Sequence, residues 1–320
     1  MNGQRLLAAS ILAIVAGLSI ASFRSSGTPT SEIALKKGLP PGTVYIRNNF
    51  GDGDAIKVVP AWNEAHWIHF KGIGEGTKRF PFPALLRSDR CDVITLAKPK
   101  RIWVLGTHGR PPKPPEPIFD SLEPLQTKHF DDGTAVALYE MPALGITSSF
   151  SSSLAKTRIS RRDSAGKERD CKRVRNRFRC GKKPWENPSI ETRDVFHNEV
   201  SWVLTHPPNN DETLVIRWPI EQGKALIVRA GFTLKAVRRE QGSPVSIKIF
   251  IDDDEVDGFE MQPHKYHLEL RVLPLPSNAR TVRFEVRAAD HEYRQLMLEA
   301  DIASTIHSAI LGEATYNGLD

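Results

Sequence analysis

The chain has 320 residues, a formal net charge of +6 and 40% hydrophobic residues, which is enough for about two domains of roughly 100–200 residues each. This composition excludes a wholly disordered protein, and the presence of one long apolar stretch rather than several excludes a multi-span transporter. Three cysteines are too few for a disulfide-dense scaffold, and 23 prolines against four methionines favour loops and turns over a helical bundle.

The first element in the chain is an apolar run, Leu6–Phe23, which follows Arg5. A bilayer span takes about 20 apolar residues and the hydrophobic region of a signal peptide about 7–15, so the run fits either an uncleaved anchor or a cleaved signal. The small residues around Ile20 would suit a signal peptidase, although the apolar run continues beyond them. Positive charge before the run predicts that the remaining chain lies outside the cytoplasm. We assign residues 1–26 to this anchor or signal peptide and residues 27–42 to a linker.

Residues 43–150 predict a small α/β domain with a mostly parallel sheet. Short apolar runs without alternation are typical of strands buried on both faces; they are Thr43–Ile46, Ala55–Val59, Arg101–Leu105 and Ala135–Tyr139. Residues at helical spacing lie between these runs, namely Trp62, Ala65 and His69, and then Ile118, Leu122 and Leu125. The alternation of strands and helices indicates an α/β layer.

Residues 151–189 are predicted to form a basic linker that contains a disulfide-bonded hairpin. Between Lys156 and Lys183 there are 13 basic and 3 acidic residues, so the local charge of +10 exceeds that of the whole chain. Cys171 and Cys180 lie in a polar stretch that offers no core for a free thiol, so we expect them to pair outside the cytoplasm.

The basic linker has two interpretations. It could bind an anionic partner, such as anionic lipid head groups or an acidic polysaccharide, while export disfavours nucleic acid. Alternatively, it is a solvated linker without a partner. If it binds, alternate arginines should share one face of the hairpin; they are Arg173, Arg175, Arg177 and Arg179.

Residues 190–304 predict an antiparallel β-sandwich, followed by a C-terminal tail over 305–320. Apolar and polar residues alternate with a period of two in short segments that Pro, Gly, Asn and Asp separate. The segments centre on Trp202, Ile216, Val228, Ile247, Leu270, Phe284 and Leu298. The acidic run Asp252–Glu255 partly imitates a calcium loop, but it lies between two strand candidates and is interpreted as a hairpin turn. The sequence predicts no metal site and no cofactor.

Several short stretches resemble bacterial membrane glycosyltransferases of the dolichyl-phosphate-mannose mannosyltransferase type, in their extracytoplasmic C-terminal part. They are Gly53-Asp54, Val58–Trp62, Arg101–Leu105 and Ala137–Glu140. Further stretches resemble the carbohydrate-binding jelly roll sometimes appended there, namely Cys171, Phe178–Cys180, His206–Pro208 and Arg229–Phe232. The resemblance covers about residues 45–300 and implies a bacterial envelope protein that works around glycans. Those transferases carry their catalytic acids in a many-span membrane domain, so no catalytic residue is transferred to this chain.

Two classes of function follow. The first is a non-catalytic envelope protein, anchored in the inner membrane with periplasmic domains or secreted to the periplasm, that binds glycan or assists a membrane complex for glycan synthesis. Its candidate sugar-contacting residues are Trp185, His206 and Arg229, because sugars need an aromatic face and a few polar groups. The second is an extracytoplasmic hydrolase or transferase with a site in the α/β domain, which would use His66, His69 or Asp54 in a cleft.

Overall fold

Three β-sheets account for most of the residues that the structure, a computed structural model, describes. The described residues are 38–60, 85–86, 99–114, 117–120, 122–142, 145–195, 198–208, 212–239, 242–262, 268–290 and 294–305. From Pro41 onward they belong to one compact unit. The apolar run Leu6–Phe23 and the predicted helix around Ala65 lie outside the described residues. None of the helices within the described ranges combines the length and hydrophobicity needed to traverse a bilayer.

The first sheet has five strands and mixed polarity. Its elements are α1 (Pro41–Asn49), β1 (Asp54–Val59), β2 (Leu85–Leu86), β3 (Arg101–Gly106), β4 (Gln126–His129) and β5 (Ala135–Glu140). The strand order is β2-β1-β3-β5-β4. β1 runs parallel to β2 and β3, but β5 runs antiparallel to both β3 and β4. The strand predictions for β1, β3 and β5 are confirmed, whereas the mostly parallel α/β domain is not evident.

Helix α1 replaces the strand predicted at Thr43–Ile46. Pro41 at the first helical position has a φ that suits a helix start, and its missing N–H is not needed there. Gly42 allows close approach to the sheet, because a Cβ at this position would lie 2.8 Å from Leu105 Cδ1. Ile46 then packs against β1, β3 and β5 in the core of the first sheet. Tertiary packing therefore overrides the strand preference of the β-branched residues.

The second predicted helix, around Leu122, is also wrong. A short 3₁₀ helix spans Pro117–Asp120, and residues 122–125, which precede β4, are not helical. Phe119 is buried against Tyr139, with their ring centroids 5.0 Å apart. Pro124 explains the outcome, because it removes a helical hydrogen bond and disfavours helical geometry in the residue before it.

Two further sheets form a β-sandwich. In chain order the strands are β6 (Ile146–Ser149), β7 (Arg158–Arg162), β8 (Glu168–Asp170), β9 (Lys172–Val174), β10 (Arg177–Arg179), β11 (Ser189–Val195), β12 (Asn198–Leu204), β13 (Thr213–Pro219), β14 (Ala225–Phe232), β15 (Val245–Ile251), β16 (Asp254–Met261), β17 (Leu268–Pro274), β18 (Thr281–Ala288) and β19 (Leu296–Ala303). A short helix, α2 (Leu234–Val237), follows β14. The larger sheet has the order β17-β14-β19-β12-β11-β10-β9, with β6 also on β19, and the smaller has β16-β15-β18-β13-β7-β8. From β12 onward the chain passes between the sheets at nearly every connection, which is the winding of a jelly roll.

The core of the sandwich lies between the two sheets. Alternate residues of β14 and β19, such as Val228 and Ala300, face alternate residues of β15 and β18, such as Ile249 and Phe284. This is the arrangement that the period-two pattern predicts. The acidic run is confirmed as the turn between β15 and β16, where Asp252 Oδ1 accepts hydrogen bonds from the backbone N–H groups of Arg280 and Thr281.

The sandwich begins earlier than predicted. The segment 151–189, expected as a linker, supplies β7 and β8 to the smaller sheet and β9 and β10 to the larger one. β7 pairs with β13 over five residues. Its Ile159 is buried in the sandwich core although the surrounding residues are polar. A high content of charged residues therefore makes such strands difficult to predict, because few of their positions are buried.

Candidate functional site

The basic hairpin, residues 171–183, contains β9 and β10 and a two-residue turn at Arg175 and Asn176. Arg175 has a φ of 55°, in the left-handed region that tight hairpin turns require. Cys171 and Cys180 form a disulfide across the base of the hairpin, which confirms the sequence prediction. The hairpin joins the larger sheet through pairing of Arg177 with Ser189 on β11.

The two faces of the hairpin differ in their environment. Phe178 and Cys171 point into the sandwich core. Arg173 is paired with Phe178 and therefore lies on that same side, where its Nη1 donates a 2.9 Å hydrogen bond to the carbonyl oxygen of Ala155. Arg177 and Arg179 lie on the opposite side.

The predicted four-arginine face is therefore wrong. Pairing of Arg179 with Lys172 places this lysine beside Arg177 and Arg179, so the outward cationic face consists of Lys172, Arg177 and Arg179. Arg175 is in the turn, and Arg173 faces the other way. The prediction treated the ring as one continuous strand, in which residues two apart share a face. Across the two-residue turn this no longer holds, because Val174 and Arg177, three residues apart, are paired and share a face.

The basic stretch divides into a paired and an unpaired half. Cations on β7, β8 and β13 form ion pairs across the smaller sheet: Arg158 with Asp170, Arg161 and Arg169 with Glu212, Arg162 with Glu285, and Arg217 with Glu168. The hydrogen bond from Arg217 holds the pKa of Glu168 below its ordinary value. These cations therefore have acidic partners within the protein.

The unpaired half is the basic hairpin. Arg173 is hydrogen-bonded to Ala155 and Lys183 contacts the Trp185 ring. The exposed cations whose side chains make no ion pair, hydrogen bond or ring contact with a described residue are Lys172, Arg175, Arg177, Arg179 and Lys182. Five positive charges within eleven residues repel one another, and an anionic partner would relieve that repulsion. The candidate anion-binding surface is therefore about half the length of the basic stretch that the sequence outlines.

Trp185 lies directly after the hairpin, in a 3₁₀ helix that spans Pro184–Glu186. Asn187 holds this loop in place: its Oδ1 accepts hydrogen bonds from the backbone N–H groups of Cys180 and Gly181 at 2.9 and 3.2 Å, and its Nδ2 donates to the carbonyl of Lys183. Trp185 is 45% exposed, and the Nζ of Lys183 lies 5.2 Å from the centroid of its ring. The loop thus presents an exposed aromatic surface next to the cations of the hairpin.

His206 and Arg229, the other two candidate sugar contacts, are buried. The Nδ1 of His206 lies 3.1 Å from the carbonyl oxygen of Pro207. Arg229 does point away from the sandwich core, as predicted, but it has no solvent exposure. Its Nη1 donates a 2.6 Å hydrogen bond to Asp301 Oδ2, and Ser149 donates a 2.5 Å hydrogen bond to the other oxygen of Asp301. Neither His206 nor Arg229 offers a surface that a sugar could reach in this structure. Of the three candidate sugar-contacting residues, Trp185 is therefore the one that is exposed.

Asp54 is one of the three residues that the enzymatic alternative offers for a site in the first domain. Its carboxylate accepts four hydrogen bonds: two from Arg101 at 2.7 and 2.8 Å, one from Trp103 Nε1 at 2.8 Å and one from the N–H of Gly51 at 2.9 Å. Three of these bonds are accepted by Oδ2 and one by Oδ1, and the carboxylate, with its side chain 1% exposed, joins β1 to β3. His66 and His69 lie outside the described residues. Within the described ranges, no group of three or more His, Cys, Asp or Glu residues has the geometry to hold a metal ion.

Comparisons with known proteins found likenesses among solved structures. One is to the tandem CBM51 modules of a family 98 glycoside hydrolase from Streptococcus pneumoniae, with 11% identity, a TM-score of 0.28 and coverage of 36% of each chain. Another is to the CBM51-2 and INT domains of ZmpB from Clostridium perfringens, with 10% identity, a TM-score of 0.27 and coverage of 63% of this chain and 46% of that one. A third is to the CBM51 of a Clostridium perfringens GH95 protein in complex with methyl-galactose, with 9% identity, a TM-score of 0.24 and coverage of 58% and 95%.

These structural neighbours are carbohydrate-binding β-sandwich modules. The chain spans less than half the length of the first two of them. No family model matches the sequence, and no curated protein matches it at a significant level. The glycosyltransferase part of the resemblance therefore has no support from sequence comparison.

Proposed function

We propose that the protein binds an acidic glycan through the basic hairpin and Trp185. The observation that carries the proposal is a hairpin with five unpaired cations that is followed directly in the chain by an exposed tryptophan, which lies in a hydrogen-bonded loop and contacts Lys183. Aromatic faces stack on the C–H faces of sugar rings, and lysine and arginine bind the carboxylate or sulfate groups of an acidic polymer. A purely solvated linker would not need the disulfide and the three side-chain hydrogen bonds of Asn187 that fix this surface.

The proposal predicts salt-dependent binding to an acidic polysaccharide. In titration calorimetry of the purified full-length chain, we expect binding to alginate, a polymer of uronic acids, and none to neutral dextran. Binding should weaken steeply with added salt, because the Debye length falls from about 10 Å at 0.1 M to about 3 Å at 1 M. The triple variant Lys172→Ala/Arg177→Ala/Arg179→Ala should weaken binding at low salt about tenfold or more, and Trp185→Ala should weaken it further.

The matched control removes three exposed cations elsewhere on the sandwich, with the variant Lys167→Ala/Lys224→Ala/Arg280→Ala. This control should retain most of the affinity, since none of the three residues lies on the hairpin. Equal losses in the two triple variants would mean that net charge alone attracts the polymer, and the proposed surface would be wrong. Binding to anionic lipid vesicles without binding to alginate would replace the glycan with a membrane surface as the partner.

We also propose that the protein acts in the bacterial envelope, either attached to the inner membrane through Leu6–Phe23 or released into the periplasm, and that it can assist a glycan-synthesis complex. The order of Arg5 and the apolar run supports an extracytoplasmic position for the remaining chain. With an uncleaved anchor, the protein should sediment with membranes and resist extraction by carbonate. A soluble periplasmic form that starts near Ser22 would indicate a cleaved signal, and a cytoplasmic soluble form would contradict the proposal.

A further inference from the structure

A second basic surface lies at the opposite end of β11 from the hairpin. It surrounds an open cleft of about 440 Å³, a volume within the range of about 300–1,000 Å³ that small-molecule sites occupy. The lining residues come from β11, from α2 and the residues around it, and from the residue before β19: Arg193, Asp194, Thr233, Leu234, Lys235, Arg238, Arg239 and Gln295. None of them belongs to the acidic-glycan surface.

The floor of the cleft is fixed by hydrogen bonds between the chain segments. The backbone N–H of Thr233 donates to the carbonyl of Gln295 at 3.0 Å, and the side chains of these two residues are 3.1 Å apart. Thr233 also caps α2 by accepting a hydrogen bond from the N–H of Ala236 at 3.3 Å, and it forms an isolated bridge with Val195 at the end of β11. The cations around the cleft are therefore attached to a defined scaffold.

The charge of the cleft is strongly positive. Four cationic side chains line it against the one carboxylate of Asp194. Glu191 forms an ion pair with Arg193 at the rim and adds a second negative charge. Lys235 and Arg238 are exposed and have no ion pair with any residue in the described ranges. Among the described residues, the cleft and its rim therefore keep a net charge of +2.

We infer that this cleft binds a phosphate-type dianion, such as a phosphomonoester or a pyrophosphate group. A single carboxylate would compensate one of the two charges, whereas a phosphate dianion compensates both. Guanidinium groups also present paired N–H donors that match the oxygen spacing of phosphate. Three of the four cations are arginines, which favours this ligand over a singly charged one.

The cleft is separate from the acidic-glycan surface. Arg193 is four residues from Ser189, the residue of β11 that pairs with the hairpin, which corresponds to about 13 Å at roughly 3.3 Å per residue. A small ligand in the cleft would not reach Arg177. The two sites can therefore be tested independently with different variants.

The test is titration calorimetry of the full-length chain with inorganic pyrophosphate, with sodium chloride at matched ionic strength as the reference. We expect saturable binding with one site per chain. Lys235→Ala/Arg238→Ala should weaken this binding about tenfold or more, since it removes both uncompensated charges. The control variant Lys224→Ala/Arg280→Ala removes the same charge elsewhere and should change the affinity less than about twofold.

The hairpin variant Lys172→Ala/Arg177→Ala/Arg179→Ala should bind pyrophosphate as the unmodified chain does, while it loses affinity for alginate. Non-saturable heats, an equal loss in the control variant, or loss of pyrophosphate binding in the hairpin variant would each overturn the inference. Because Lys235 and Arg238 are exposed, an unchanged urea midpoint of their double variant will show that its fold is intact.

Discussion

Replacing Asp301 with alanine should destabilise the sandwich by about 3–5 kcal/mol, because it leaves a buried guanidinium without its counter-charge. Arg229 and Asp301 are fully buried on neighbouring central strands. Apart from its bond to Asp301, the guanidinium has two nitrogens, Nε and Nη2, without a hydrogen-bond partner in the described part of the chain. Removal of the carboxylate therefore removes the counter-charge that is hydrogen-bonded to the guanidinium, while Glu299 stays opposite Arg229 on β19. Urea unfolding followed by circular dichroism measures the change in the free energy of unfolding.

The control for this prediction is the double variant Arg229→Met/Asp301→Leu, which replaces both charges with apolar side chains of similar length. Such replacements of buried ion pairs are often neutral or stabilising, so the double variant should recover most of the loss. Ser149→Ala, which removes one hydrogen bond to Asp301, should cost about 1 kcal/mol. A cost below about 1 kcal/mol for Asp301→Ala would show that the ion pair does not hold these strands together.

Loss of the disulfide in the variant Cys171→Ser/Cys180→Ser should lower the free energy of unfolding by about 2–3 kcal/mol, according to the chain-entropy relation for a short ring. The bond ties β9 to β10 next to Phe178, so its loss releases the hairpin from the sheet edge in addition to relaxing the unfolded chain. The measurement is urea unfolding of the variant and of the unmodified chain, each with and without reductant.

Reductant should destabilise the unmodified chain and leave the serine variant unchanged. If reductant destabilised both proteins equally, the destabilisation would not come from loss of the Cys171–Cys180 bond. Two free thiols found by mass spectrometry of alkylated, unreduced protein from cells would contradict the disulfide and weaken the case for an oxidising compartment.

Most strands of the sandwich, and β1, β3 and β5 of the first sheet, were predictable from sequence, whereas helix α1 and the charged strands β7 and β8 were not. Val245–Ile251 and Thr281–Ala288 alternate cleanly because one face of each strand contacts the core. The period of two is then sufficient to assign a strand. β7 and β8 were missed, and β9 and β10 were predicted only as a hairpin within a linker, because each strand is short and contributes few apolar residues, among them Ile159 and Phe178, to the core.

The candidate binding surfaces show a second limit to what can be predicted from the sequence. The register of a hairpin decides which side chains share a face, and one misplaced turn moved Arg173 to the core side. Burial of Arg229 depends on pairing with Asp301, 72 residues away in sequence, which no local pattern reveals. The cleft around Lys235 joins three separated segments. The only sequence signal for it was the cluster of cations at 235–239.

The position of the basic hairpin also bears on the solubility of the protein. β9 is the terminal strand of the larger sheet, and an open strand edge is a template on which a second molecule can add its own strand. Here the edge is only three residues long, carries Lys172 and Arg173, and ends in the turn at Arg175. A second copy that approached this edge with the same strand would bring like charges together without a long ladder of hydrogen bonds to offset them. The charges that we propose to attract a glycan thus also keep neighbouring molecules from joining their sheets.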